Sequence, residues 1–169
     1  MYDPNKKLND ITVMGARIIF RNFSGNATEY NAKGNRVFGL LLDDELAEQL
    51  EEDGWHIKYL KPRNEEEERH PRAWLQIKVK YGKIPPIVVL ITSRGQTRLT
   101  EETVGQLDWA RIENVDLIVR PYQYPETNIR PAGVYAYLKS IYVTIQEDAL
   151  EKKYGSIPFA EDMDEAPFD

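Results

Sequence analysis

Trp74-Leu75-Gln76-Ile77-Lys78-Val79-Lys80-Tyr81 alternates apolar and polar side chains over its whole length. A strand sends successive side chains to opposite faces. Leu75, Ile77, Val79 and Tyr81 therefore form one row, and Trp74, Gln76, Lys78 and Lys80 form the other. The first row is core-like. The second aligns an indole with two ammonium groups, which suits a single strand of nucleic acid: the ring stacks a base while the cations follow the phosphates. A solvated strand face with one partly covered Trp accounts for these eight residues equally well, so the rest of the chain has to weigh in.

Outward from this stretch the β pattern recurs. Residues 11–23 (ITVMGARIIFRNF) are rich in β-branched and aromatic types, with Gly15 marking a bulge or a bend. Residues 36–42 (RVFGLLL), 55–61 (WHIKYLK), 87–92 (IVVLIT), 115–124 and 134–146 read as further strands. Residues 74–81 and 87–92 read as a hairpin around 82–86. Residues 24–35, with Gly25, Asn26, Asn31, Gly34 and Asn35, form a loop, and 62–72 (PRNEEEERHPR) form a charged one. Asp43 is placed to cap a short helix that carries Leu46 and Leu50 on one face and stops at Gly54. A second helix signal starts at Thr100, with Glu101 and Glu102 in its first turn, and residues 148–154 make a short helix or turn. About six strands and two short helices predict a mainly β domain, a closed or nearly closed antiparallel barrel.

Length and charge refine this. A chain of 169 residues fits one domain with short appendages: a flexible N-terminus (1–10), a body (11–155) and an acidic tail (156–169). There is no cysteine, which excludes disulfides, Cys-containing zinc sites and a Cys nucleophile, and fits a reducing cytoplasm. No stretch approaches the ~20 apolar residues of a membrane span, and residues 1–10 have no apolar region of the kind a signal peptide carries. The net charge of −6 argues at first against a nucleic-acid partner. Its distribution argues the other way. Five acids, Glu161, Asp162, Asp164, Glu165 and Asp169, lie in the last ten residues, and without them 23 acidic and 22 basic groups remain. Setting aside Glu65 to Glu68 as well leaves a mildly basic scaffold.

Cations and aromatics interleave on several strands. Arg17 and Arg21 share parity, as do Arg36 and Phe38, Tyr59 and Lys61, and Arg120, Tyr122 and Tyr124; Tyr135, Tyr137 and Lys139 share another face. A groove lined by several such strands tracks a single strand without reading its sequence. The expected groove residues are Trp74, Lys78, Lys80, Trp55, Lys58, Tyr59, Lys61, Arg17, Arg21, Arg36, Arg120 and Tyr122. Trp55 and Tyr59 share parity while Lys58 does not, so Lys58 is included because strand ends and bulges re-aim side chains.

Signals for catalysis are poor. His56 and His70 stand at no metal-like spacing, and there is no phosphate-binding glycine loop and no GxSxG nucleophile motif. Glu151-Lys152-Lys153 matches a fragment of a nuclease core, for which Asp108 and Asp116 are the available metal partners, but such triplets arise often by chance. No cofactor and no enzymatic activity are expected.

Three runs carry a family likeness: residues 15–25 (GARIIFRNFSG), 54–63 (GWHIKYLKPR) and 114–122 (NVDLIVRPY). Together with 135–143 (YAYLKSIYV) they resemble bacteriophage single-stranded DNA-binding proteins, over roughly residues 11–159. The resemblance implies an OB-like antiparallel β-barrel with one or two short helices and a disordered or extended acidic tail. It also implies sequence-tolerant binding of single-stranded DNA, no cofactor, and a role in phage replication or recombination in the host cytoplasm. The tail joins acids to Phe168, next to the terminal Asp169, which is the design of a docking peptide for replication or recombination proteins. A homodimer is compatible with this reading. Two other readings compete: a phage structural or tail-interface module that binds no nucleic acid, and a metal-dependent nuclease.

Overall fold

The computed structural model describes residues 3–154, and among them nine strands form one sheet. Strand β5 (Ala73–Val79) lies inside it. Ala73, Leu75, Ile77 and Val79 are buried, while Trp74, Gln76 and Lys78 face outward, half-buried, as the alternation predicts. On one edge β5 pairs antiparallel with β3 (Arg36–Leu41), which sets Leu40 beside Leu75 and Phe38 beside Ile77. The other edge is shared. β4 (Ile57–Tyr59) pairs with the stretch from Ala73 to Leu75, and β9 (Gly133–Ile145) meets Lys78 in parallel through Tyr137.

β8 (Ile112–Tyr124) and β9 pair antiparallel along their whole length. Their register shifts in the middle: Ile118 opposes Ser140 and Val119 opposes Leu138, which leaves Lys139 as the extra residue. Inward positions on β9 are Val134, Ala136 and Leu138 before this bulge and Ile141 and Val143 after it. A bulge bends a strand and raises its twist. Here the opposite edge of β9 changes partner at the same place, from β5 to β6 (Ile87–Thr92), whose Ile87 opposes Ser140 in parallel. β5 and β6 thus run in the same direction, end to end along β9. The hairpin expected between them does not form, because residues 80–86 carry the chain onward instead of reversing it. The hairpin partner of β6 is β7 (Gly95–Leu99), which the sequence pattern does not reveal because only Leu99 of its five residues is buried.

Residues 11–23 are two strands, not one. β1 (Ile11–Val13) pairs with β8 and β2 (Ile18–Asn22) pairs with β3. The break falls at Gly15, whose φ of +62° suits glycine. Gly15 N donates to Asp116 Oδ1 (2.8 Å), Ala16 N to the Val115 carbonyl (2.7 Å), and Leu41 N to the Arg17 carbonyl (2.9 Å). The hydrogen-bonded order β1-β8-β9-β5-β3-β2 is therefore not closed, and the chain itself joins its two ends. The result is the OB-like, mainly β body expected, with most pairs antiparallel and the β5–β9 and β6–β9 pairs parallel.

Short helices close the periphery. α1 (Asp44–Glu52) is capped by Asp43, which accepts from Leu46 N at 2.7 Å, and buries Ala47 and Leu50. α2 (Glu65–Arg69) is a single turn within the charged segment expected to be a loop. α3 (Ala149–Lys153) opens on a capping box between Asp148 and Glu151. The signal at Thr100 becomes a 3₁₀ turn, Val104–Asp108, that buries Val104 and Leu107. Residues 3–10 are tied to the body by Lys6 to Asp53 (2.8 Å), Gln123 to the Lys6 carbonyl (2.9 Å) and Lys139 to Asp10 (2.8 Å), with Leu8 against the core. No helix among the described residues is long and apolar enough to cross a membrane. The acidic-tail residues lie outside the described residues.

Asp108 fastens the 3₁₀ turn to the end of β2, accepting from Phe23 N (2.6 Å) and Ser24 N (3.1 Å). Those N–H groups have no strand partner at this point. Asp108→Ala is expected to destabilise the fold by about 1–3 kcal/mol, the cost of leaving partly buried donors unpaired. A denaturant midpoint unchanged from wild type would refute this role.

Candidate nucleic-acid interface

The outward row of β5 lies on the face shared by β2, β3, β4, β8 and β9. Register places Lys78 beside Tyr137 of β9, Tyr137 beside Arg120 of β8, and Tyr135 beside Tyr122. Cations and rings alternate across this surface. Lys58 Nζ lies 5.1 Å from the Trp74 ring centroid and donates to Gln76 Oε1 (2.9 Å). Lys78 Nζ lies 4.0 Å from the Tyr135 ring, and the Arg120 guanidinium lies 5.9 Å from Tyr137. Arg130, from the loop between β8 and β9, lies 4.1 Å from the Tyr124 ring and donates to Tyr135 Oη (2.7 Å). Tyr122 meets Tyr137 edge-on at 6.1 Å, and Tyr124 meets Tyr135 at 4.5 Å.

Two clefts flank this row. One, of about 460 Å³, runs between the 24–35 loop and β5 and includes Tyr30, Arg36, Lys80 and Tyr137. The other, of about 320 Å³, includes His56, Lys58, Tyr124 and Tyr135. Gln76 and Lys78 line both. The surface thus offers flat π-faces, ammonium and guanidinium groups between them, and two clefts that adjoin at Gln76 and Lys78.

Of the twelve residues expected in the groove, Trp74, Lys78, Lys58, Arg120 and Tyr122 come together here, with Lys80 exposed at the rim of the larger cleft. Lys61 and Arg17 are exposed beyond this cluster. Trp55 is a correction: it is 4% exposed and belongs to the core, so no base can reach it. Tyr59 is another, because it lies on the other side of β4, where its hydroxyl donates to Glu51 Oε2 of α1 (2.7 Å). That hydrogen bond, with burial adding to it, pushes the phenol pKa upward. Trp55 and Tyr59 do share a side, as their parity requires, and Lys58 is the member of the trio that faces the site. Arg21 serves the fold, donating to the Leu107 and Ala110 carbonyls (2.8 Å each). Arg36 lines the larger cleft, but it donates to the Phe23 (3.2 Å) and Ser24 (3.0 Å) carbonyls and approaches Glu101 at 3.8 Å.

Of the carboxylates the nuclease alternative would use, Asp108 and Asp116 accept from backbone N–H groups and Glu151 accepts from Asp148 N in the capping box of α3. Among the described residues no three His, Asp or Glu side chains are grouped to hold a metal ion.

The family model described as "Putative phage ssDNA-binding domain" matches residues 3–166. The chain belongs to the phage single-stranded DNA-binding domain family. Solved structures of similar fold include the single-stranded DNA-binding protein from bacteriophage Enc34, with a TM-score of 0.51 and 12% identity over 82% of each chain. The same protein in complex with ssDNA gives a TM-score of 0.52 and 14% identity, over 82% of this chain and 88% of that one. No curated protein sequence matches.

Several residues on the face of this family member carry no mark in the sequence. Alternation puts Phe20 on the opposite side of its strand from the two arginines. Its φ of +50° and the register shift between Ile19 and Asn22 turn it outward, 61% exposed, with its ring 5.0 Å from Trp74. The same irregularity turns Arg21 away. Tyr124, Tyr135 and Tyr137 are visible as a spacing of two, but nothing local separates them from core tyrosines. Arg130 sits in a Pro-flanked loop where periodicity says nothing.

The two tryptophans give opposite expectations for stability. Trp55→Ala empties a buried site and is expected to cost ~3–5 kcal/mol, whereas Trp74→Ala removes a half-buried ring and is expected to cost much less. Urea denaturation of both variants checks this, and equal losses would contradict the assignment of faces.

Proposed function

We propose that this protein binds single-stranded DNA, with little regard to sequence, across the outward face of β5, β8 and β9. The observation that carries the reading is the alternation of Trp74, Tyr135, Tyr137 and Tyr122 with Lys58, Lys78, Arg120 and Arg130 on one surface. Every base has a π-face, so rings spaced along a groove accept any sequence, and the cations neutralise phosphates without reading bases. Binding of this kind breaks no bond and needs no cofactor. Family membership supports it, and so does the similar protein from bacteriophage Enc34, whose structure is solved in complex with ssDNA.

The finer role is protection of single strands during phage DNA replication or recombination in the host cytoplasm. Partner proteins would be recruited through the acids Glu161, Asp162, Asp164, Glu165 and Asp169 with Phe168. The tail's composition supports this, since a purely solvating tail requires no aromatic. Truncation after Phe159 is expected to abolish capture of replication proteins from phage-infected lysate while DNA binding persists. Undiminished capture would remove the tail from the docking role.

Anisotropy titrations of a labelled single strand and a duplex, over a salt series, test the main reading. Each phosphate contact on a single strand lowers log K by about 0.7 per decade of salt. With the cations of the face making several contacts, a slope of about −2 to −4 is expected, with the single strand preferred. Trp74→Ala is expected to weaken single-strand binding about 5- to 150-fold, the loss of one stacked base at ~1–3 kcal/mol. Salt-independent binding, or equal affinity for duplex, would overturn the proposal.

A further inference from the structure

Two aromatic rings of the face lie over glycines of neighbouring strands. Gly39 of β3 opposes Gln76 in register, and the indole of Trp74 leans diagonally across to it. A Cβ at position 39 would sit 2.8 Å from Trp74 Cε3, 3.2 Å from Cζ3 and 2.9 Å from Ile19 Cγ1. Gly133 of β9 directly opposes Tyr124 of β8, and a Cβ there would overlap the phenol end of that ring. Neither glycine has the left-handed φ that would explain it by backbone conformation. Both are buried, and glycine weakens a strand interior because it offers no side chain to pack and loses more entropy on folding. Two strand glycines that no turn requires, each beneath a ring of the same face, call for a reason that lies in the rings.

We infer that Gly39 and Gly133 are positioning residues of the DNA-binding face: each is a seat that lets one ring lie close against the neighbouring strand instead of standing away from it. This rests on the reading of that face as a single-stranded DNA site. A ring that stands upright on a strand blocks the groove and turns its π-face sideways. A ring laid over glycine keeps the floor open and is held on one side, so little freedom is lost when a base stacks on it. At Trp74 the seat works with the outward-turned Phe20, whose ring meets the indole at 66° and walls one side of it. At Tyr124 it works with Arg130, which lies over the ring.

The test is a double-mutant cycle on the full-length chain. Gly39→Ala, Trp74→Ala and the double variant are compared by thermal melting and by affinity for a fluorescein-labelled oligothymidylate. If Gly39 acts through Trp74, Gly39→Ala alone lowers the melting temperature and weakens binding by about fivefold or more, the low end of one stacked base. In the Trp74→Ala background the two indole contacts are gone and only Ile19 Cγ1 remains close to the added methyl group. The methyl group then lowers the melting temperature less than it does in the wild-type background, and the double variant binds as Trp74→Ala does. If Gly39→Ala alone fails to fold, recovery of folding in the double variant supports the seat, and failure of both overturns it. Equal losses in the two backgrounds, or no loss in either, also overturn it, the former assigning the glycine to the strand or to Ile19. Gly133→Ala with Tyr124→Ala makes the parallel cycle. Melting involves no DNA, so a wild-type chain that ignored the oligonucleotide would sink the proposed function while the melting cycle still decided the packing of ring on glycine.

Discussion

β5 is hydrogen-bonded on both edges, by β3 on one side and by β4 and then β9 on the other. A strand so held cannot rotate or slip, because a shift of one residue would exchange its entire inward set for its outward set. Leu75, Ile77 and Val79 are thereby committed to the core, and Trp74, Gln76 and Lys78 to the surface. The other strands take their facing from this one. β3 must present Phe38 and Leu40 inward, and β9 must turn Tyr135 and Tyr137 outward beside Lys78. One ladder therefore sorts the hydrophobic core and the outward face of rings and cations in a single step.

Much of this is legible in the chain because it is local. Alternation in β5, the Asp43 cap and the long β8 and β9 are each written within a dozen residues, and so is the membership of Trp74 and Lys78 in one row. What is not legible depends on distant partners. Alternation shows which residues share a side but not which side is inside, and so it groups Trp55 and Tyr59 with the face, where Lys58 alone belongs. Arg21 reads like any surface arginine until the carbonyls of Leu107 and Ala110 arrive from more than eighty residues away. Phe20 obeys no period, since a left-handed residue in a bulge breaks the alternation itself. β7 has too little apolar character to announce a strand and exists because β6 needs a partner.

Charge is also sorted by side. Lys58 and Tyr59 are consecutive, yet one stands over Trp74 and the other binds Glu51 of α1. α1 carries Asp44, Glu45, Glu48, Glu51 and Glu52, and it lies beyond the opposite side of β4 from the face. Exposed charges separated by more than about 8 Å are largely screened from one another at physiological salt. A chain with a net charge of −6 can therefore keep a locally cationic surface, and net charge alone is a poor guide to its partners.

The open ladder has a consequence for synthesis. β1 leaves the ribosome early, but its partners Leu117, Ile118 and Val119 belong to a late stretch of the body, and the Gly15–Asp116 contact spans 101 residues of sequence. Non-local pairing of this kind slows folding, because the chain entropy of closing a long loop is lost before any contact compensates it. β2 and β3 can pair while the chain is still emerging, whereas β1 can only wait. A nascent chain stalled before β8 would hold a half-built sheet with an unsatisfied strand at its edge, the kind of edge that other chains can join.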